Sequence, residues 1–253
     1  MLLAATCLFG LERQLGEEID ALGYKRIDTM DGRVTFEGEL SAIARANINL
    51  RFAERVVIKL GDFSCESFEA LFEGTRALEW EKYIGINDAF PVKGHAIKSK
   101  LFSVPDCQSI VKKAVVDNLS EKYGIRYFAE EGVKYQIEFF ILNDVATIMI
   151  DTSGIALHKR GYRRKSNEAP LKETLAAAIC DTARIFPDTK MFDPFCGSGT
   201  ILIEAAMMAL KMAPGLRRFF AAEKFGFIPE TVWREERAAA QDKILHNIDF
   251  RAV

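Results

Sequence analysis

The chain has 253 residues, 49% hydrophobic and 28% charged, which suffices for one large core or two to three small ones. No uninterrupted apolar stretch reaches the roughly 18 residues of a membrane span, and five dispersed cysteines (Cys7, Cys65, Cys107, Cys180, Cys196) without a C-x-x-C pair point to neither a zinc site nor a disulfide framework, so no metal and a reducing cytoplasm are expected. The net charge of -2 is unevenly spread: residues 91–172 hold 14 Lys and Arg against 9 Asp and Glu, residues 1–90 hold 10 against 16, and the middle third is where a polyanion would touch.

The opening MLLAATCLFG lacks a basic n-region and a small-residue cleavage site and runs into LERQLGEEID, so it reads as a buried strand, not a signal peptide. LERQLGEEIDALG follows as a helix with Leu11, Leu15, Ile19 and Leu22 on one face. KRIDTM and RVTFEG flank Asp31-Gly32, a two-residue hairpin signal that asks for positive φ at both central positions. A helix over LSAIARANINLR and a strand over ERVVIKL complete a β-α-β-β-α-β order, the ferredoxin-like plan.

SFEALFEGTRALEWEKYI has helical spacing interrupted by Gly74, and HAIKSKLF reads as a strand with a basic face. PDCQSIVKKAVVDNLSEKYG is an amphipathic helix ended by Gly124. KYQIEFFIL and VATIMIDTS form a hairpin about Asn143-Asp144, making residues 63–154 a small α/β unit of their own. A domain boundary is placed near residue 154, ahead of IALHKRGYRRK, in which five of the eight residues from His158 to Lys165 are Lys or Arg. Beyond it come a helix over LKETLAAAICDTAR, a short buried strand in KMFDPF, a helix over TILIEAAMMALKM and a third, covering helix over PETVWREERAAAQDKILHN. Strand, Gly turn and helix in that order open a doubly wound domain.

In FDPFCGSGT, Gly197 and Gly199 can take positive φ and expose N–H groups at a helix N-terminus, whose partial positive charge favours a carboxylate or phosphate. Asp193 at the strand's end can meet an ammonium, so a zwitterionic amino-acid moiety satisfies both halves. No Lys follows the glycines, which excludes a P-loop, and Leu202 occupies the place of the third Gly of a dinucleotide fingerprint.

FDPFCGSGTILIEAAMMALKMAPGL resembles motif I of the class I S-adenosylmethionine-dependent RNA methyltransferases that carry a THUMP domain, the bacterial large-subunit ribosomal RNA guanine-N2 methyltransferase family. LFEGTRALEW, KSKLFSVPDCQSIVKKAV, DTSGIALHKRGYR and APLKETLAAAI are similar to further stretches of it. The resemblance implies an α/β fold with an α+β front half: a ferredoxin-like domain (residues 1–62), a THUMP RNA-binding domain (63–154) and the beginning of a Rossmann-like methyltransferase domain (155–253). It implies contacts to S-adenosylmethionine at Asp193, Pro194, Phe195, Gly197, Ser198 and Gly199, and at Pro170, Leu171 and Lys172 ahead of the motif.

The chain carries no N-P-P-[YF] tetrapeptide, the family's catalytic loop, and IDFRAV reads as the start of the second strand of the fold, whose family members end it with a ribose-binding acid; Asp249 lies too early for that role. No catalytic residue is therefore assigned. The expectation is an N-terminal fragment of an active enzyme, or a non-catalytic remnant, that is inactive alone. RNA contacts are expected at Lys98, Lys100, Lys112, Lys113, His158, Lys159, Arg160, Arg163 and Arg164. Cys196 has no base beside it and reads as a small turn residue, not a nucleophile. Two other classes stay open: an adenine-N6 nucleic-acid methyltransferase, which shares motif I, and a purely RNA-binding module.

Overall fold

A computed structural model describes residues 1–163 and 170–253. Its front part runs β1 (Leu2–Cys7), α1 (Glu12–Ala21), β2 (Arg26–Met30), β3 (Arg33–Glu37), α2 (Leu40–Asn49) and β4 (Ala53–Ser64). It continues with α3 (Phe68–Arg76), β5 (Val92–Ile97), α4 (Val104–Tyr123), β6 (Ile137–Leu142) and β7 (Val145–Asp151). The expected ferredoxin-like order is present. However, residues 63–154 do not form a sheet of their own, because all seven strands join one sheet in the order β2-β3-β1-β4-β7-β6-β5, antiparallel except for β5 with β6. The shared element is the 12-residue β4, whose first half pairs with β1 (Ala5 against Val56) and whose second half pairs with β7 (Phe63 against Ala146).

Alternation along these strands sends Leu3, Ala5, Val56, Ile58, Ile148 and Ile150 into one helix-covered core, while Ala4, Val57 and Met149 lie on the opposite face. Helix α3 runs straight through Gly74, where a Cβ would come within 2.4 Å of the Phe63 ring, so this glycine serves close packing and does not end the helix. Of the expected Asp31-Gly32 pair, Gly32 alone is left-handed (φ 73°), whereas Asn143 and Asp144 both are (φ 49° and 62°).

The rear part consists of α5 (Glu173–Thr182), β8 (Lys190–Met191), α6 (Thr200–Ala209), α7 (Glu230–Asp242) and β9 (Arg251–Ala252). β8 pairs in parallel with β9, as the second strand of a doubly wound sheet should. The expected buried strand is corrected: β8 has two residues, with β9 as its one partner among the described residues, and the adjoining Phe192 is 74% exposed.

The segment after β7 and the rear part both dock on α2. Asn47 on α2 donates to Thr152 Oγ1 (2.9 Å) and accepts from Ser153 Oγ (2.6 Å). Gly215 N donates to Ile48 O (2.8 Å), an approach that a Cβ at Gly215, 2.5 Å from Asn47 O, would obstruct. From α7, Glu236 takes both branches of the Arg45 guanidinium (2.8 and 2.7 Å), the bidentate geometry that holds two planes in fixed orientation.

Candidate cofactor site and nucleic-acid interface

The Gly turn sits between β8 and α6. Asp193 is tied to the sheet by donating its N–H to Val253 O (2.8 Å), and its Oδ1 accepts from Phe195 N (3.0 Å), which folds the chain back on itself. Gly197 (φ 54°) and Gly199 (φ 70°) are both left-handed, and Gly199 N donates to Cys196 O (2.8 Å). Gly199 is the N-cap of α6 and no side chain caps the helix, so its first N–H groups and the positive end of its dipole face outward. A Cβ on either glycine would meet no atom of the protein closer than 4.0 Å. The space beside the turn is thus open for a ligand that accepts hydrogen bonds.

Arg163 joins this turn to the segment expected to share the cofactor. Its Nη2 donates to Leu171 O (2.9 Å) and to Thr200 Oγ1 (2.8 Å), and Thr200 Oγ1 shares a 3.0 Å hydrogen bond with Ser198 Oγ. Pro170, Leu171 and Lys172 are thereby brought beside the start of α6, roughly 30 residues away in sequence. Lys172 caps α5, and its Nζ lies 3.7 Å from Glu54. Burial resists ionisation of Glu54, but hydrogen bonds from Thr174 (2.7 Å) and His158 outweigh it and hold its pKa below the usual carboxylate value. Pro194, Phe195 and Cys196 are exposed, Phe195 by 93%.

Behind the turn lies a buried network that sequence reading missed. Glu204 of α6 is fully buried and accepts from Arg51 Nη1 (3.2 Å), Arg160 Nε (3.4 Å) and Tyr162 Oη (3.0 Å). Arg160 also donates to Leu157 O (2.7 Å) and to Arg51 O. The expected RNA contact at Arg160 is therefore corrected: the residue is 5% exposed and its donors are spent on the protein. The same correction applies to Arg163, which is committed to Leu171, Thr200 and Glu173. His158 Nδ1 meets Glu54 at 2.6 Å. Lys112 is half-buried, reaching Glu130 (2.5 Å) and Phe90 O (3.1 Å) with its Nζ 3.6 Å from the Phe90 ring centroid.

Four of the expected RNA contacts reach the surface. Lys98, Lys113 and Lys159 are exposed, and Lys100 is exposed but paired with Glu66. Arg164 lies outside the described residues.

Residues 2–57 match the RlmL ferredoxin-like domain, residues 65–151 the THUMP domain, and residues 160–253 the RMKL-like methyltransferase domain. The chain is 44% identical over 244 residues to the Bacillus subtilis (strain 168) protein YpsC, whose name assigns it provisionally to the RNA methyltransferases; the match covers 95% of this chain and 63% of YpsC. A crystal structure from Listeria monocytogenes, described as a predicted N6-adenine-specific DNA methylase, superposes with a TM-score of 0.95 at 47% identity over 99% of this chain and 67% of that one. Another, described as a methyltransferase complexed with SAH, superposes with a TM-score of 0.93 at 40% identity over 99% of this chain and 66% of that one. The chain thus spans about two thirds of the length of these relatives. With its three domains matched in order, it belongs to the THUMP-containing RNA methyltransferase family.

Proposed function

We propose that the protein methylates RNA from S-adenosylmethionine in the cytoplasm, with the N2 amine of a guanine in large-subunit ribosomal RNA as its target. The observation that carries this reading is the uncapped N-terminus of α6 behind two left-handed glycines, bound through Arg163 to the Pro170–Lys172 segment. The donor set fits the amino-acid end of the cofactor: the N–H groups of Gly197, Ser198 and Thr200 would meet its carboxylate, and the Asp193 carboxylate, which keeps an oxygen beyond its turn bond, would meet its ammonium. When bound there, S-adenosylmethionine supplies a methyl group already activated on a sulfonium, so the protein's task is alignment without a covalent intermediate. A relative of 40% identity was crystallised with SAH, which supports the same assignment.

A base amine is stacked in its helix and must be turned out to reach the turn, so the fold needs a separate surface that grips RNA. The THUMP match at residues 65–151 supports that division of labour. The test uses the protein expressed from its complete gene, unmodified large-subunit ribosomal RNA transcribed in vitro, a matched DNA strand, and S-adenosylmethionine labelled on the methyl. N2-methylguanosine in the digested RNA is the expected product. N6-methyladenosine would replace the guanine assignment with an adenine one, and label confined to DNA would overturn the RNA reading.

A further inference from the structure

Residues 159–162 of the basic segment form one wall of a cleft of about 610 Å³ whose other wall is the stretch from Met212 to Phe219. Lys159, Arg160, Arg217 and Arg218 line this cleft, and among the described residues no Asp or Glu does. Arg160 has its counter-charge behind it in Glu204. Arg218 makes no salt bridge among the described residues, Glu173 acting on it only at a distance: it is buried, and its guanidinium donates to two carbonyls, Leu157 O (2.8 Å) and Ile155 O (2.7 Å). Burial lowers its pKa to about 10, which leaves it cationic at neutral pH. Among the described residues neither Lys159 nor Arg217 makes a salt bridge, and both are exposed. A buried cation bonded to carbonyls, with two open cations above it, is an electrostatic arrangement completed by an external anion.

The walls are preorganised. Arg218 fastens the 155–157 backbone to its own segment, while Arg237 of α7 donates to Leu216 O (2.9 Å) and Arg218 O (2.7 Å). Phe220 is buried and stacked on Trp233 at 5.5 Å, which fixes the base of the lip. Its neighbour Phe219 is left 84% exposed beside the cations. A solvent-facing aromatic ring next to open cations, with the Arg237 guanidinium 5.8 Å from its centroid, suits a strand with unpaired bases. Met207 of α6 also lines the cleft, two helical turns or ~10 Å from Thr200, within a few nucleotides' reach of the Gly turn.

We propose that this cleft binds the single-stranded RNA flanking the target nucleotide, with Lys159 and Arg217 on successive phosphates, Arg218 as a fixed positive floor, and Phe219 stacked on an unpaired base. The assignment rests on the RNA reading given above and adds the surface that delivers the strand.

The test compares the protein expressed from its complete gene with its variants Lys159→Ala/Arg217→Ala and Phe219→Ala, and with the charge-matched control Arg13→Ala/Lys25→Ala on the front domain. The probe is unmodified large-subunit ribosomal RNA over a salt series. The double variant should bind about tenfold more weakly, with its log-log salt slope reduced by roughly 1.4, two single-strand phosphates at ~0.7 each. Phe219→Ala should lose about fivefold or more with the slope unchanged, and the control should behave as the parent. Ultraviolet crosslinking of the parent chain, which needs no variant to fold, should attach RNA at Phe219 or Tyr162. If the parent binds RNA but both cleft variants match it and no crosslink falls in the cleft, the cleft assignment fails while the RNA reading stands. Equal losses in the control would also overturn it. A parent chain that binds no RNA at any salt sinks the RNA reading and this assignment together.

Discussion

Glu204 is the residue whose removal should most disturb the relation between the two halves of the molecule. It projects from the rear helix α6, and two of its partners, Arg51 and Arg160, are themselves nearly excluded from solvent, with side chains 10% and 1% exposed. Glu204→Ala leaves two buried guanidiniums facing a void, and breaking a buried pair by deleting one partner costs about 3–5 kcal/mol. At about 2–4 °C per kcal/mol for a chain of this size, the melting temperature should fall by about 6–20 °C. The two tryptophans supply separate reporters, since Trp80 is buried in the front core and Trp233 is stacked on Phe220 in the rear. Single-tryptophan versions, Trp80→Phe and Trp233→Phe, followed by fluorescence in urea, should show coincident transitions for the parent, the mark of one cooperative unit. With Glu204→Ala the Trp233 transition should move to lower urea and separate from that of Trp80. The exposed Arg76–Asp117 pair is the control, and Asp117→Ala should cost under about 1 kcal/mol. A Glu204→Ala loss no larger than that control, with the transitions still coincident, would refute the claim that this network couples the halves.

Three further perturbations follow from the same geometry. Gly199→Ala places a Cβ at φ 70°, a strain of about 1–2 kcal/mol, and intrudes on the open side of the turn; calorimetric titration should show S-adenosylhomocysteine affinity falling at least tenfold, and unchanged affinity would remove the turn from the cofactor site. Gly215→Ala drives a Cβ to 2.5 Å from Asn47 O and should cost about 1–3 kcal/mol in urea, whereas Gly226→Ala, with open space around it, should cost under about 1 kcal/mol; equal losses would contradict the docking role of Gly215. Glu18 gives a pH effect: though half-buried overall, its carboxylate turns inward onto the N–H groups of Arg51 and Phe52, and burial outweighs these bonds and lifts its pKa from 4.5 to about 7. The folded chain then holds this proton more tightly than the unfolded one, so the contribution is full below pH 4.5 and lost as pH rises through 7. Glu18→Gln should flatten the decline in urea midpoint between pH 5 and 7, and an unchanged slope would show that Glu18 does not titrate there.

What the sequence made legible was local. The strands in LLAATC and RVTFE, the glycine that ends α4 at Gly124 and the Gly-x-Gly turn before α6 are each written within one short stretch, and the structure reproduces them. What stayed hidden depends on partners far along the chain. β4 cannot be seen to bridge two domains until its pairing with β7, some 90 residues later, is known. Arg160 and Arg163 look like their exposed neighbour Lys159 because nothing nearby in sequence reveals that Glu204 and Thr200 will meet them. Arg217 and Arg218 were passed over for the converse reason, since two cations beside two phenylalanines in LRRFF carry no charge run of their own.

The hidden contacts also decide how the Gly turn is held relative to the front sheet. A flexible linker would leave α6 free to sample many orientations, but residues 151–160 are fastened at several points. Asp151 accepts from Arg55, Ser153 and Thr152 tuck under α2, and Ala221 and Ala222 donate back to Ser153 O and Thr152 O. Arg218 then bonds the next carbonyls, and Arg160 carries the chain onto α6 through Glu204. Arg160, which sequence reading gave to RNA, thus belongs to a brace between the α2–β4 junction and α6, and Arg163 ties the start of α6 to the segment before α5. Mutating Arg160 or Arg163 to test RNA binding would change the placement of the Gly turn relative to the proposed RNA cleft. For that reason Lys159, Arg217 and Phe219, whose side chains are exposed and make none of these hydrogen bonds, are the positions at which binding can be altered while that placement is kept.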